Sequence, residues 1–201
     1  MTRTEFIQHI IDRIEAKSYL EIGTQYGYNY ENIRCKEKTG VDPGDYEIEY
    51  LKMSSDQFFE DNRKMFDVIF VDGLHHHEQV IKDVDNALEC LNENGVIVCH
   101  DCNPSCYEMQ VVPEQHLPGW TGDVWRAWLN FRRFKELTTI CFDVCTGMGF
   151  IQYKRTLSTL DLTYEDILMM TYENFDKKRV RLLNLKDDNY FKIILNRMEK
   201  V

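Results

Sequence analysis

Two short stretches hold most of the chemistry this chain could perform: VDGLHHHE at residues 71–78 and VCHDCNP at residues 98–104. Histidine is the side chain whose ordinary pKa lies nearest neutrality, so His75, His76 and His100 are candidates to take or give a proton. Asp72 and Asp101 could orient those imidazoles or join them around a divalent cation. The cluster is therefore a proton relay, a metal site, or both. The alternative is a set of solvated residues at a helix start, where Asp72 caps and the histidines serve only as polar loop residues. Three adjacent histidines point in different directions, so at most two of His75, His76 and His77 reach one crevice. Each stretch follows an apolar run, and the choice depends on whether those runs are neighbouring strands.

The runs read as strands. MFDVIFVDG (65–73) is continuously apolar between Asp67 and Asp72, the pattern of a strand buried on both faces of a parallel sheet. GVIVCHD (95–101), SYLEIG (18–23) and KTGVDP (38–43) are similar, EIEYLKM (47–53) is a further strand, and 137–144 and 148–154 close the series. Between them fall helical patterns. Phe6, Ile7, Ile10, Ile11 and Ile14 mark a helix over 4–16, and a short one is expected over 29–36. Ser54 or Ser55 caps another, and Val80, Ile81, Val84, Ala87, Leu88 and Leu91 keep helical spacing up to the stop signal NENG at Gly95. Residues 102–120, with Pro104, Pro113 and Pro118, are an irregular loop, and a helix follows near 122–135. Alternating strands and helices predict an α/β fold, a doubly wound, mostly parallel sheet of about seven strands. The chain reads as a single domain over 1–201: an N-terminal helix (1–17), the sheet core (18–154) and a helical C-terminal extension (155–201) in which Thr163 and Asp166 form a capping box. In such a sheet the fourth strand lies beside the first and the fifth beside the fourth, which brings Asp72 and His75 to the same edge as His100 and Asp101.

Ligands of open α/β sheets bind at the carboxyl ends of the strands. The first strand ends in EIGTQYGYN, with Glu21, Gly23 and Gly27, and the second in Asp42. The spacing is neither G-x-G-x-x-G nor G-x-x-x-x-G-K-[ST], which argues against a nicotinamide enzyme and a triphosphate loop. Asp42 could accept hydrogen bonds from a ribose diol or simply open the turn VDPGD. Taken with Glu21, Gly23 and Gly27, it favours a ligand containing a nucleoside.

These residues resemble the Rossmann-like S-adenosylmethionine-dependent methyltransferases, whose first motif E/D-x-G-x-x-x-G matches Glu21, Gly23 and Gly27 and whose ribose acid matches Asp42. YLEIGTQYG, GVDP, SSDQFF, FDVIFVDGLHHHEQV, NGVIVCHDCNP, GDVWRAW and YENFDKKRVRLLNL are similar to a group of small methyltransferases associated with glycan biosynthesis, the methyltransfer domain of a large algal-virus glycan-building protein among them. The first loop departs from the family in having only two glycines, with Gln25 and Tyr26 between them. The resemblance implies that Glu21, Gly23, Thr24, Gly27 and Asp72 line the methionine part of S-adenosyl-L-methionine, that Asp42 holds its ribose, and that Met53, Ser54 and Asp56 border its adenine. It implies Mg²⁺ or Mn²⁺ at Asp72, His100 and Asp101, and proton removal by His75, His76, His100 or Asp101. The expected reaction is O-methylation of a sugar hydroxyl, on a glycan or on a nucleotide sugar of a deoxyhexose such as rhamnose. Methylation of another small-molecule oxygen or nitrogen, and a non-catalytic cofactor-binding module, are the alternatives. Tyr107, Trp120 and Asp123 are candidates for the acceptor wall, while Trp125 and Trp128 read as core.

Bulk composition narrows the partners. With 24 basic and 34 acidic residues the formal charge is −10, which argues against a general grip on nucleic acid. No apolar run reaches the ~20 residues of a membrane span, and MTRTEFIQHIIDRIEAK is no secretory signal. Seven cysteines without paired ligand spacings favour free thiols over structural zinc, hence a reducing, cytoplasmic setting, the host's if the chain is viral. A small-molecule or glycan acceptor is the expected partner. The apolar faces of the first and last helices would suit a homodimer, and the chain could also be part of a longer multidomain protein.

Overall fold

The computed structural model describes residues 1–114 and 118–201; residues 115–117 of the expected 102–120 loop lie outside the described residues. Helix α1 (Arg3–Ile14) starts in a capping box, in which the Thr2 hydroxyl accepts from the Glu5 amide and Glu5 reaches back to the Thr2 amide. Its buried face carries Phe6, Ile7, Ile10, Ile11 and Ile14, the residues whose spacing marked it. The chain then alternates through β1 (Ser18–Ile22), β2 (Glu37–Asp42), β3 (Leu51–Lys52), α2 (Ser55–Asp61), β4 (Phe66–Val71), α3 (His77–Glu89) and β5 (Leu91–Cys99). Helix α4 (Val124–Phe131) leads to β6 (Leu137–Phe142) and β7 (Met148–Tyr153). The tail runs α5 (Tyr164–Met169), α6 (Tyr172–Asp176), α7 (Arg179–Leu183), β8 (Leu185–Lys186) and α8 (Asp188–Arg197).

Among the described residues these strands form one eight-stranded sheet in the order β3-β2-β1-β4-β5-β7-β6-β8. The first five in that order run parallel, and β7 is antiparallel to both β5 and β6. Apolar side chains fill both faces. One core packs α2, α3 and α4 against the sheet with Trp125, Trp128 and Phe131, and the other packs α1 and α8 against it with Phe6, Phe142 and Phe191. No helix among the described residues is long and apolar enough to cross a membrane.

The topology reverses between β1 and β4, and the register there decides where the chemistry sits. Ile22 pairs with Val71 and Val71 with Cys99, so the three strands end level. Backbone bonds carry the alignment past the strand ends: the Asp72 amide donates to the Ile22 carbonyl (2.9 Å), the His100 amide to Val71 (3.0 Å) and the Gly23 amide to Val41 (2.8 Å).

Several boundaries differ from the sequence reading. The expected strand 47–53 pairs only at Leu51 and Lys52, because residues 44–50 fold back on themselves: the Tyr50 hydroxyl donates to the Gly44 carbonyl (2.7 Å) and accepts from the Tyr46 amide (3.0 Å). The expected helix 29–36 is one 3-10 turn, Tyr30–Asn32. Helix α3 stops at Glu89, and NENG lies inside β5, where the register slips between Phe66 and Val68 to take up the extra residues. Helix 122–135 contracts to Val124–Phe131, and the 102–120 loop contains a 3-10 turn at Tyr107–Gln110. The extension is not wholly helical, since β8 adds to the sheet edge opposite Cys141 and Phe142.

Asp67, at the start of β4, ties the N-terminal helix to the sheet. Its Oδ2 accepts from the amides of Lys17 (2.7 Å) and Ser18 (3.0 Å), and its Oδ1 from Asn92 Nδ2 (2.7 Å). Burial works against the charged form, but these donors outweigh it and hold the carboxyl below its usual range. The folded pKa is depressed, so this stabilisation is present above the ordinary value and is lost as pH falls through the folded one. Asp67→Ala is expected to lower stability by about 1–3 kcal/mol in denaturant titrations near neutrality, with a smaller penalty in acid.

Candidate active site

The strand ends open into two cavities. The first, of about 370 Å³, lies over β1, β2 and β4 and is lined by Gly23, Asp42, Ser54, Asp56 and Asp72 among the expected cofactor residues. Gly23 is obligatory here. Its backbone is left-handed (φ +89°), and a Cβ would stand 2.0 Å from the Asp72 carbonyl oxygen. Asp42 does both things its position allowed: it borders the cleft, and its oxygens accept from the amides of Gln25 (2.9 Å) and Gly44 (2.8 Å). Ser54 likewise borders the cleft while capping α2.

Four expected cofactor residues stand elsewhere. Glu21 is 1% exposed and lines neither cavity, accepting a short bond from the Tyr19 hydroxyl (2.5 Å) and another from Asn29 Nδ2 (2.7 Å). Burial, partly offset by those donors, pushes its carboxyl up to about 7. Thr24 is buried with its methyl against Gly40 and its hydroxyl without a protein partner among the described residues. Gly27 (φ +78°) serves the loop's turn, where a Cβ would meet Ile48 at 2.9 Å. Met53 packs on the core.

The second cavity, of about 700 Å³, is lined by Asp72, His75, His100, Asp101 and Trp120, and also by Arg3, Gln25, Tyr28, Asn29, Cys145 and Thr146. Asp72 and Gln25 line both cavities, so the two meet at these residues. Asp72 Oδ1 lies 3.4 Å from His75 Nε2 and 3.0 Å from His100 Nδ1, while Oδ2 accepts from Arg3 Nη1 at 2.7 Å. Asp101 Oδ2 lies 3.3 Å from His75 Nε2 and 3.1 Å from His100 Nδ1. Asp101 sits in left-handed backbone (φ 61°), and its Oδ1 accepts from the Thr146 hydroxyl. The His75 ring stacks on Trp120 at 5.2 Å and 22°, and its Nδ1 is buried without a protein partner among the described residues.

Electrostatics follow from this packing. Burial disfavours a charged imidazole, but the bond to Asp72 and the charges of Asp101 and Asp72 raise His75 above its ordinary value. The same two carboxylates raise His100 further. Asp72, despite its burial, is held well below the usual carboxylate range, with the charge of His100 the largest favourable influence. One ligand atom each from Asp72, His75 and Asp101 lies within 4.8 Å of the others. Two carboxylates and an imidazole fit Mg²⁺ or Mn²⁺. The expected set named His100 in place of His75; both imidazoles lie between the two carboxylates, and the ligand atom of His75 falls within 4.8 Å of those of Asp72 and Asp101.

Three other expectations are corrected. His76 is the N-cap residue of α3, edge-on to Trp120 at 6.3 Å and outside the Asp–His cluster. Asp123 is not in the acceptor wall: its Oδ1 accepts from the His77 amide (2.8 Å) and its Oδ2 pairs with His77 Nδ1 (2.6 Å). A helix start leaves amides without partners, and Asp123 supplies the acceptor that His76 does not. Tyr107 is 57% exposed and packs edge-on to Tyr172, outside both cavities. Trp125 and Trp128 are core, as read. Arg3 and Tyr28 had no local signal, because their places follow from how α1 and the first loop dock.

The Asp123–His77 pair gives a pH test. The hydrogen bond from Asp123, opposed by burial, raises His77, so its contribution is complete below the ordinary histidine pKa and is lost as pH rises through the raised one. Asp123→Asn is expected to cost about 1–2 kcal/mol in slightly acidic buffer and clearly less at alkaline pH, read from thermal melts in both.

Residues 24–102 match a family model described as a methyltransferase domain. Among curated proteins no sequence match was found. The fold is similar to that of a Staphylococcus aureus protein provisionally assigned as a caffeoyl-CoA O-methyltransferase, with TM-score 0.57, 17% identity, and 74% of this chain and 81% of that one covered. It is also similar to the S-adenosylhomocysteine-bound Podospora anserina methyltransferase PaMTH1, with TM-score 0.56, 19% identity, and 77% and 80% covered. A third is the O-methyltransferase TomG of Streptomyces achromogenes, involved in tomaymycin synthesis and solved with S-adenosylmethionine, with TM-score 0.52, 16% identity, and 74% and 78% covered. These likenesses show a Rossmann-like α/β fold, and over residues 24–102 the chain is similar to a methyltransferase domain.

Proposed function

We propose that this chain is a methyltransferase that uses S-adenosylmethionine to methylate a hydroxyl of a sugar, presented on a glycan or on a nucleotide sugar. The observation that carries the reading is the shared wall: one cleft bordered by Gly23 and Asp42 and one cavity bordered by His75 and Asp101 meet at Asp72 and Gln25. Donor and acceptor would thus lie on either side of one carboxylate. Two of the similar structures hold S-adenosylmethionine or its demethylated product, which supports the choice of cofactor. The chain fits it through the glycine approach at Gly23 and the acid at Asp42.

When bound, the cofactor supplies an electrophilic methyl carbon, so the chain's own work is to orient the acceptor and receive its proton. Trp120 and Tyr28, the latter 76% exposed, present aromatic surface at the acceptor cavity. Such faces suit sugar C–H edges, and the side-chain amide of Gln25 at the cavity wall offers an acceptor and a donor for hydroxyls. The sequence pieces shared with the glycan-associated group support a sugar acceptor. His75 takes the proton in its neutral form, with Asp72 and Asp101 stabilising the imidazolium that results. In the alternative arrangement, a divalent cation held by Asp72, His75 and Asp101 would acidify the hydroxyl, and His75, then a ligand, would not be the base.

A second reading, a flat phenolic acceptor, is favoured by the same stacking surface on Trp120. A panel of sugars and phenols scored by mass spectrometry separates the two: methylated sugar is expected, and methylation of phenols alone overturns the sugar assignment. His75→Ala is expected to lower turnover about 10²- to 10⁴-fold while leaving S-adenosylhomocysteine affinity, measured by calorimetry, within about threefold. Unchanged turnover removes His75 from the mechanism, and turnover abolished by a chelator assigns the cluster to cation binding. Because His75 is raised above its ordinary pKa and acts when neutral, kcat/KM is expected to climb with pH on the alkaline side of that value. In Asp101→Asn the climb is expected at lower pH.

A further inference from the structure

The segment Asp176-Lys177-Lys178-Arg179-Val180-Arg181 has no part in the site described above, yet it forms one wall of a cavity of about 880 Å³ on a different part of the surface. Six cationic side chains line this cavity against one acid, Asp176, in a chain whose formal charge is −10. Two of the six are already engaged: Lys177 pairs with Glu173 (2.6 Å), and Arg179 with Asp176 (2.6 Å), Asn103 and Pro104. The other four, Arg132, Lys178, Arg181 and Lys186, form no ion pair among the described residues.

Arg132 is the telling member. Its residue is 3% exposed, at the C-terminal end of α4. Its Nε donates to the Leu182 carbonyl (3.2 Å) and its Nη1 to the Ser158 carbonyl (2.5 Å) and the Thr139 hydroxyl (3.4 Å), while its Nη2 has no hydrogen-bond partner among the described residues. Burial lowers its pKa to about 10, and no carboxylate offsets the cost. A largely buried guanidinium with a spare donor, in a cavity also lined by Lys178, Arg181 and Lys186 (the last with its Nζ 5.3 Å from the Tyr190 ring), suits an anion. Ser158 borders the same space.

We propose that this cavity is a second binding site, for a small molecule bearing a phosphate or pyrophosphate group, held by Arg132, Lys178, Arg181 and Lys186. Its volume lies in the range of small-molecule pockets, roughly 300–1,000 Å³. The site is independent of the methyl-transfer chemistry.

The test is calorimetric titration of the full chain with inorganic pyrophosphate and, separately, orthophosphate, at low and at raised salt. Saturable binding at one site is expected, tighter for pyrophosphate and weakened by salt. Lys178→Ala/Arg181→Ala changes two exposed side chains and is expected to weaken it about tenfold or more, with S-adenosylhomocysteine affinity unchanged. Arg132→Lys, which keeps the charge but loses the planar fork, is expected to weaken it as well. Absence of heat with both anions, equal affinity in the double variant, or tighter binding of a single-stranded oligonucleotide than of pyrophosphate overturns the proposal.

Discussion

The carboxylate of Asp72 is the constraint around which this molecule is arranged. It is buried, and a buried charge is tolerated only where oppositely charged and hydrogen-bonding groups surround it. Here it has three: Arg3 on one oxygen, and His75 and His100 on the other. Each arrives from a different part of the chain, so satisfying one side chain requires the N-terminal helix, the β4–α3 loop and the end of β5 to be docked together. The backbone of the same residue is equally fixed, with its amide on Ile22 and its carbonyl against Gly23 so closely that only hydrogen fits between.

This arrangement links fold and chemistry without any long-range device. Parallel strands of equal end level deliver consecutive acids and imidazoles to one edge, and the reversal of strand order between β1 and β4 leaves room beside them. The two cavities are separate because Asp72 and Gln25 stand between them, and adjacent for the same reason. Around this centre lies a layer of ordinary structural work. Asp123 secures the first turn of α3 and so the loop carrying His75, and Thr146 holds Asp101 in its left-handed conformation.

Much of this was legible in the chain itself. Strands buried on both faces announce themselves as unbroken apolar runs, and β4 and β5 did so, which is why Asp72, His75, His100 and Asp101 could be placed at one edge in advance. Glycine at position 23 was legible as a turn at the end of β1, but its close approach to the Asp72 carbonyl was not, since that neighbour lies 49 positions on. What escaped reading depends on partners distant in sequence. Nothing near Arg3 marks it as the counter-ion of a residue 69 positions away. Asp123 and His76 were both taken for site residues, since a helix start does not say which acid will cap it. The segment 47–53 alternates like a strand, but the Tyr50 hydroxyl bonds turn most of it into a compact loop.

A crystal structure of the chain with S-adenosylhomocysteine bears most directly on the central role of Asp72. The sulfur atom should lie in the cleft beside Gly23, facing across Asp72 toward His75 and Asp101, with the ribose on Asp42. A sulfur atom turned away from Asp72, or product bound outside that cleft, would contradict it.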